Sequence, residues 1–236
     1  MKALIFDVDD TLYDQIQPFE RALERHIEVA REQIEPLYLS FRRYADEVFE
    51  ATAIGKMSLK DSHIYRMKHA LADFGYQVSD ATALAIQIDY DYFQGQLELS
   101  PIFPEIFAYC QSNGIALGII TNGPHWHQLR KIRTMQLGQW IESDHIIISG
   151  QVGVTKPNPK IFKLLEERLE LPASDIVYLG DSFENDIIGA KTAGWQAVWF
   201  NHRKRSEPES SFQADYMIDE WFNLDSLIKN IIKPIG

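Results

Sequence analysis

The chain has 236 residues, of which 45% are hydrophobic, 24% are charged and 12% are aromatic. A chain of that length and composition can bury a full hydrophobic core, which excludes a disordered, collagen-like or coiled-coil protein. Its 34 acidic residues outnumber its 23 basic residues and give a net charge of −11. Because phosphate backbones and acidic lipid surfaces repel such a chain, we expect neither a nucleic acid nor a membrane as a partner.

The cysteine content and the first residues predict a cytoplasmic protein. Cys110 has no second cysteine with which to form an internal disulfide, which is typical of a reducing compartment. The apolar start of the chain meets Asp7 too early for a signal peptide, and no stretch approaches the roughly 18 apolar residues of a membrane helix. The sequence leaves the oligomeric state open.

Short apolar runs bounded by turn signals predict the strands of a parallel sheet that is covered on both faces. Five runs are clear and a sixth is weaker; they cover residues 3–7, 115–121, 145–149, 176–180, 196–200 and, more weakly, 215–219. Helical patterns separate the strands, at residues 102–112, 125–137, 159–169 and 185–193. This alternation predicts an α/β fold with a Rossmann-like, doubly wound parallel sheet.

The region between the first two strands breaks the alternation. From about Gln17 to Gly95 no run is typical of a strand, and apolar residues at helical spacing begin at Gln17-Pro18 and continue to Ala30. Further helical patterns cover residues 59–74 and 81–93. We therefore predict a sheet domain formed by residues 1–14 and 98–236, and a small helical domain formed by residues 15–97.

Ligands of open parallel sheets bind beyond the carboxyl ends of the strands, and four predicted strands leave polar residues there. The first strand is followed by Asp7-Val8-Asp9-Asp10-Thr11, and the second by Thr121-Asn122-Gly123. Lys156 follows the third strand, while the fourth leaves Gly180-Asp181, with Asp186 a turn later. Oxygen ligands without a histidine or cysteine cluster suit Mg²⁺ rather than zinc. Magnesium and Lys156 would form a positive pocket, whose expected occupant is a phosphate.

Two carboxylates at short spacing favour phosphoryl transfer. Asp7 and Asp9 are two residues apart, so in extended backbone their side chains point the same way. One carboxylate can attack a phosphoryl group and form an aspartyl-phosphate. The other can protonate the leaving oxygen and then activate water. The turn at residues 121–124 leads from a strand into a helix, and its hydroxyl, amide and N–H groups suit phosphate oxygens.

This set of residues resembles the four motifs of the haloacid dehalogenase-like hydrolase superfamily, in the same order. The resemblance spans almost the whole chain, and the helical insert looks like the family's cap between the first and second motifs. The stretches at residues 120–124 and 153–157 resemble the phosphatase and nucleotidase branches. The matched motifs are Asp7-Val8-Asp9-Asp10-Thr11, Thr121, Lys156 and residues 180–186.

The resemblance implies metal and proton-transfer roles for four acidic residues. Asp7 would be the nucleophile and a Mg²⁺ ligand. Asp9 would be the general acid and base, and its main-chain carbonyl would also bind the metal. Asp181 would bind Mg²⁺ directly. Asp186 would support the site from nearby, through water or by orienting Lys156.

The resemblance also implies how the phosphoryl group is held. Thr121 and Asn122, with Gly123 in the same turn, would bind it, and Lys156 would neutralise charge around the nucleophile and the phosphate. Tyr13, Gln15 and residues 54–57 are candidates for contact with the substrate or for packing within the insert. The basic run at residues 202–205 is expected to be a solvated loop.

We therefore expect a Mg²⁺-dependent phosphomonoester hydrolase that acts on a small phosphorylated metabolite, either a nucleoside monophosphate or a sugar phosphate. The dehalogenases of the superfamily need no metal and lack the second carboxylate, so Asp9 argues against dehalogenation. Two alternatives stay open: a phosphomutase of the same superfamily, and a catalytically weak phosphate-binding or regulatory module. The sequence does not identify the substrate.

Overall fold

A computed structural model describes residues 1–231 and confirms the predicted α/β class. Within these residues, six parallel strands form one sheet in the order β3-β2-β1-β4-β5-β6. The strands are β1 (Ala3–Phe6), β2 (Ala116–Thr121), β3 (Ile146–Ile148), β4 (Ile176–Gly180), β5 (Gln196–Phe200) and β6 (Tyr216–Ile218). The first strand of the chain lies at the centre of the sheet, because β1 pairs with β2 on one side and with β4 on the other.

The same part of the chain forms ten α-helices. They are α1 (Gln17–Glu24), α2 (Arg31–Ala53), α3 (Leu59–Asp73), α4 (Asp80–Gln94), α5 (Phe103–Ser112), α6 (His125–Thr134), α7 (Ser149–Val152), α8 (Pro159–Leu169), α9 (Gly189–Thr192) and α10 (Trp221–Ile231). Between residues 1 and 231, none of these helices is both long and apolar enough to cross a bilayer.

The central strands are buried on both faces, as their unbroken apolar sequences predict. Every residue of β1 and β4 is buried. On one face, Phe162 of α8 packs edge-to-face against Tyr178 of β4 and against Trp195, with ring centroids 5.2 and 5.4 Å apart. Such aromatic packing adds to the apolar area that the sheet removes from water. The buried sheet gives the polar groups at its carboxyl edge a rigid base.

The helical insert is a separate compact unit, Gln15–Leu97, built from α1 to α4. Its core contains a triangle of aromatic rings from three helices, Phe19, Phe41 and Tyr90, with centroids 5.0 to 5.7 Å apart. The hydroxyls of Ser58 and Ser79 accept the Asp61 and Thr82 main-chain N–H groups and so cap α3 and α4. The insert therefore has its own hydrophobic core.

Two predicted helices differ from the structure. The helical spacing from Gln17 to Ala30 predicts one helix, but α1 ends at Glu24 and α2 begins at Arg31. The apolar spacing continues because Ile27 and Val29 pack on the insert's core from the connecting segment. The predicted helix at residues 185–193 is instead a π-helical turn at Phe183–Ile188 followed by the short α9. Turns of this π-helical type are frequent at functional sites.

The buried thiol of Cys110 offers a direct test of the core. The residue has no exposed surface, and burial raises the pKa of its thiol to about 12. Because the thiolate is the reactive form, we expect the native protein to resist a thiol-labelling reagent at neutral pH and the urea-unfolded protein to react with one equivalent. Labelling of the native protein at the unfolded rate would contradict this packing.

Candidate active site

Three adjacent strands bring the predicted catalytic residues to one edge of the sheet. Asp7 follows β1, Thr121 ends β2, and Asp181 follows β4. The main-chain N–H of Asp7 donates to the carbonyl of Leu179 at 2.9 Å, so the strand pairing extends to the aspartate itself. Because β1 lies between β2 and β4, Asp7 stands at the centre of this edge.

Lys156 joins the carboxylates in a buried ionic cluster. Its Nζ donates to Asp7 Oδ1 at 2.7 Å, to Asp186 Oδ1 at 2.6 Å and to the hydroxyl oxygen of Tyr178 at 3.0 Å. The Tyr178 hydroxyl in turn donates to the carbonyl of Ile120 at 2.8 Å. Lys156 is only 4% exposed, so its ammonium depends on these three acceptors in place of water. The structure thus brings Asp7, Lys156 and Asp186 together.

Burial and repulsion shift the ionisation of this cluster. Burial raises the pKa of Asp7 to about 7; Lys156 opposes the rise, and repulsion by Asp186 and Asp9 adds to it. Burial also raises the pKa of Asp181 well above its usual range, with repulsion from Asp186 and Asp7. For Lys156, burial favours the neutral amine, but Asp186 and Asp7 outweigh burial and raise its pKa. When ionised, the carboxylates of this cluster therefore carry more negative charge than the single ammonium of Lys156 neutralises.

The acidic residues of this cluster fit a divalent cation. One carboxylate oxygen from each of Asp7, Asp181 and Asp186 lies within 4.8 Å of the others. A compact set of oxygen ligands suits Mg²⁺, and a cation would relieve the repulsion that raises their pKa values. Asp186 has further partners, because its Oδ1 accepts from Lys156 and its Oδ2 accepts the Ser182 N–H at 2.9 Å. These bonds suit Asp186 to orienting Lys156.

Gly180 makes room for this arrangement. A Cβ atom built on Gly180 would collide with the carboxylate of Asp186, so any larger residue at the end of β4 would displace it. The wide π-helical turn at Phe183–Ile188 carries Asp186 back over this glycine. Gly180 thus leaves space for the carboxylate of Asp186, and the next residue, Asp181, contributes its own carboxylate to the cluster.

The predicted phosphate-binding turn has one group without a protein partner. The hydroxyl of Thr121 is buried and, within residues 1–231, makes no hydrogen bond, so it is available to a phosphate oxygen. The side chain of Asn122 instead fixes the main chain of Lys156: its Nδ2 donates to the Lys156 carbonyl at 3.0 Å, and its Oδ1 accepts the Lys156 N–H at 2.9 Å. The N–H of Gly123 donates to Ser149 Oγ at 2.9 Å.

The carboxylate of Asp9 lies in a different setting from that of Asp7. It accepts two hydrogen bonds from Lys131 Nζ, at 2.6 and 2.8 Å, one from Gln128 Nε2 at 2.9 Å, and one from the hydroxyl of Tyr13. Burial favours the protonated acid, but Lys131 and the other donors outweigh it and lower the pKa of Asp9. Gln128 and Lys131 were not among the predicted site residues, although their spacing places both on one face of the helix that follows Thr121.

The basic run after β5 is only in part the solvated loop that the sequence predicted, because Lys204 and Arg205 are exposed whereas Arg203 is largely buried. Arg203 donates to Asp10 at 2.8 Å and also pairs with Asp14, which leaves its side chain only 12% exposed. The guanidinium of Arg205 lies 3.4 Å from the carboxylate of Asp181. The polar composition resembled a surface loop, but these arginines neutralise acidic residues beside the site.

Comparisons with known proteins agree with this geometry. A family model described as haloacid dehalogenase-like hydrolase matches residues 1–194. The chain is 31% identical over 204 residues to the glyceraldehyde 3-phosphate phosphatase of Pyrococcus abyssi, covering 86% of this chain and 83% of the relative. It is 29% identical over 242 residues to the ribulose-1,5-bisphosphate 5-phosphatase of Halopiger xanaduensis, covering 96% and 98%.

A solved structure with a similar fold is the magnesium-bound HAD-hydrolase YfnB of Bacillus subtilis, with a TM-score of 0.65, 24% identity and coverage of 96% and 98%. The chain therefore belongs to the haloacid dehalogenase-like hydrolase family. Within that family it is an enzyme of the phosphatase type, as are its curated relatives over most of its length.

Because Lys156 neutralises two buried carboxylates, we expect its removal to lower the free energy of unfolding substantially. Lys156→Met would leave Asp7 and Asp186 buried without a counter-charge, which typically costs about 3–5 kcal/mol. Lys68→Met is a matched control, because Lys68 forms an exposed ion pair with Asp80 at 2.6 Å. Urea unfolding in EDTA should show a large loss of stability for Lys156→Met and little change for the control. Equal losses would contradict the assigned charge balance.

Proposed function

We propose that this chain is a Mg²⁺-dependent phosphomonoester hydrolase in which Asp7 forms an aspartyl-phosphate. The observation that carries the proposal is the position of Asp7. It stands at the centre of the sheet edge, 2.7 Å from Lys156 and close to the carboxylates of Asp181 and Asp186, while the buried Thr121 hydroxyl lies at the end of the neighbouring strand. The same edge of the sheet therefore brings together the nucleophile Asp7, its counter-charge Lys156 and the phosphate-binding donor Thr121.

Each step follows from these residues. Lys156 stabilises the ionised Asp7, whose oxygen attacks phosphorus while the bond from phosphorus to the leaving oxygen breaks. The leaving oxygen takes a proton from Asp9. The Thr121 hydroxyl and the Lys156 ammonium face the negative charge that spreads over the phosphoryl oxygens in the transition state. Asp9 then accepts a proton from water, whose oxygen attacks phosphorus and releases phosphate from Asp7.

The carboxylates of Asp7 and Asp181, with the main-chain carbonyl of Asp9, would hold Mg²⁺. The metal supplies positive charge next to the nucleophile and the phosphoryl group. Asp186 orients Lys156 through its 2.6 Å bond and leaves direct metal binding to the other two aspartates. The oxygen-only donor set and the raised pKa of Asp181 support this assignment.

A small sugar phosphate is the substrate class that we favour. Relatives that match most of this chain are named for glyceraldehyde 3-phosphate and ribulose-1,5-bisphosphate. We also propose that the unit Gln15–Leu97 acts as a cap that selects the substrate and excludes water during the reaction. The single buried thiol, typical of a reducing compartment, supports a cytoplasmic enzyme.

Phosphate release from a panel of metabolites tests the reaction. With Mg²⁺, the protein should release phosphate from at least one triose or pentose phosphate, and EDTA should abolish the release. Asp7→Asn should abolish it as well, because the amide is not a nucleophile, whereas Asp175→Asn should retain it. Asp175 is a suitable control because it forms a surface ion pair with Lys2 at 2.9 Å.

Three results of this panel would contradict the proposal. Full activity of Asp7→Asn would remove Asp7 from the nucleophilic role. Transfer of the phosphoryl group back to the substrate, with stimulation by a sugar bisphosphate and little free phosphate, would identify a mutase instead. A folded protein that binds Mg²⁺ and turns over no substrate would indicate a binding or regulatory role.

A further inference from the structure

The face of α6 that lies next to Asp9 carries two side chains aimed at its carboxylate. Gln128 and Lys131 are three residues apart, so they lie on the same side of the helix. Gln128 Nε2 donates both to Asp9 Oδ2 at 2.9 Å and to the carbonyl of Asn122 at 2.8 Å. The Lys131 side chain is 11% exposed and contacts both oxygens of Asp9. Neither residue belongs to the motifs found in the sequence.

The partners of the Asp9 carboxylate are hydrogen-bond donors. Oδ1 accepts from Lys131 Nζ and from the Tyr13 hydroxyl, while Oδ2 accepts from Lys131 Nζ and from Gln128. Because the bonds reach both oxygens from three different side chains, they fix the position and the plane of the carboxylate. Among these three donors, Lys131 alone carries a formal positive charge, and it comes from a helix far from Asp9 in sequence.

We propose that Lys131 is a positioning residue that holds Asp9 in place for proton transfer in the phosphatase reaction. This inference rests on the proposed function, in which Asp9 exchanges protons with the leaving group and with water. Without Lys131, each Asp9 oxygen would keep one neutral donor, and the side chain could rotate away from the reacting atoms. A displacement of about 1 Å in such a group can cost roughly a hundredfold in rate.

Lys131 affects both halves of the reaction through Asp9. In the first half, the Asp9 proton passes to the leaving oxygen as phosphorus moves from that oxygen to Asp7. In the second half, water gives one proton to Asp9 while its oxygen bonds to phosphorus; the bond to Asp7 breaks, and its electron pair returns to the Asp7 carboxylate. Asp9 begins each cycle protonated, gives that proton to the leaving group and ends the cycle with a proton from water, so protons and charge balance.

Leaving-group dependence tests this role, because an alkyl alcohol needs a proton as it departs and a nitrophenol does not. For Lys131→Met we expect kcat/KM to fall about tenfold to a hundredfold with an alkyl phosphate, and less than about threefold with p-nitrophenyl phosphate. Lys131→Arg, which keeps the charge and the donors, should recover much of the loss. Lys163→Met is the matched control, since Lys163 pairs with Glu166 at 2.8 Å outside the site; it should behave like the wild type.

A double-variant cycle with Asp9→Asn separates positioning from direct substrate binding. If Lys131 acts through Asp9, adding Lys131→Met to Asp9→Asn should cost little further activity. If the two losses multiply, Lys131 acts independently and the proposal is wrong. Equal losses with both leaving groups would also overturn it. Circular dichroism checks that each variant folds, and Lys131→Gln replaces Lys131→Met if the methionine variant does not.

Wild-type activity distinguishes the two proposals. Suppose that the wild type releases phosphate, that Asp7→Asn does not, and that Lys131→Met matches the wild type with both leaving groups. Only the role of Lys131 is then refuted. If the wild type releases no phosphate from any substrate, the proposed function fails first, and the role of Lys131 fails with it.

Discussion

One ammonium group shared by two buried carboxylates is the interaction on which the catalytic edge of the sheet depends. Lys156 Nζ lies 2.7 Å from Asp7 and 2.6 Å from Asp186, in a place from which water is largely excluded. Two carboxylates would not stay ionised there without it. Several other features hold this lysine in position: Asn122 binds its main chain, Tyr178 accepts from its ammonium, and Gly180 leaves room for Asp186.

Two carboxylates of the same loop are held in opposite electrostatic settings. Burial and neighbouring acids raise the pKa of Asp7 to about 7, whereas Lys131 and neutral donors lower the pKa of Asp9. The raised pKa of Asp7 reflects its burial and the carboxylates around it, and a cation among them would favour its ionised form. Different partners thus give opposite pKa shifts to two carboxylates only two positions apart. Residues far apart in sequence, Lys156 for Asp7 and Lys131 for Asp9, supply those partners, so the difference between the two settings is a property of the fold.

The sequence predicted the parts of this structure that depend on local patterns. The buried strands followed from short apolar runs such as Ala3–Phe6, and the placement of Asp7, Thr121 and Asp181 at one edge followed from the rule that parallel strands carry their ligands at their carboxyl ends. The break between α1 and α2 was missed because apolar spacing continues through a segment that packs without being helical.

The partners of the site residues were harder to predict, because they are distant in sequence. Lys131 is 122 residues from Asp9, and Arg203 is 193 residues from Asp10. A basic residue on a helix or in a polar loop looks the same in sequence whether it faces water or a buried acid. Asn122 shows the same limit: its amide could be expected at the phosphate, but the structure places it against the main chain of Lys156.

The stereochemical course at phosphorus tests the central claim, a covalent intermediate on Asp7, most directly. A substrate whose phosphoryl group is made chiral with oxygen isotopes and sulfur would be hydrolysed in isotopically labelled water. Two successive in-line displacements, first by Asp7 and then by water, predict net retention of configuration. Net inversion would mean that water attacks the substrate directly. Asp7 would then be a metal ligand rather than the nucleophile, and the aspartyl-phosphate mechanism would be wrong.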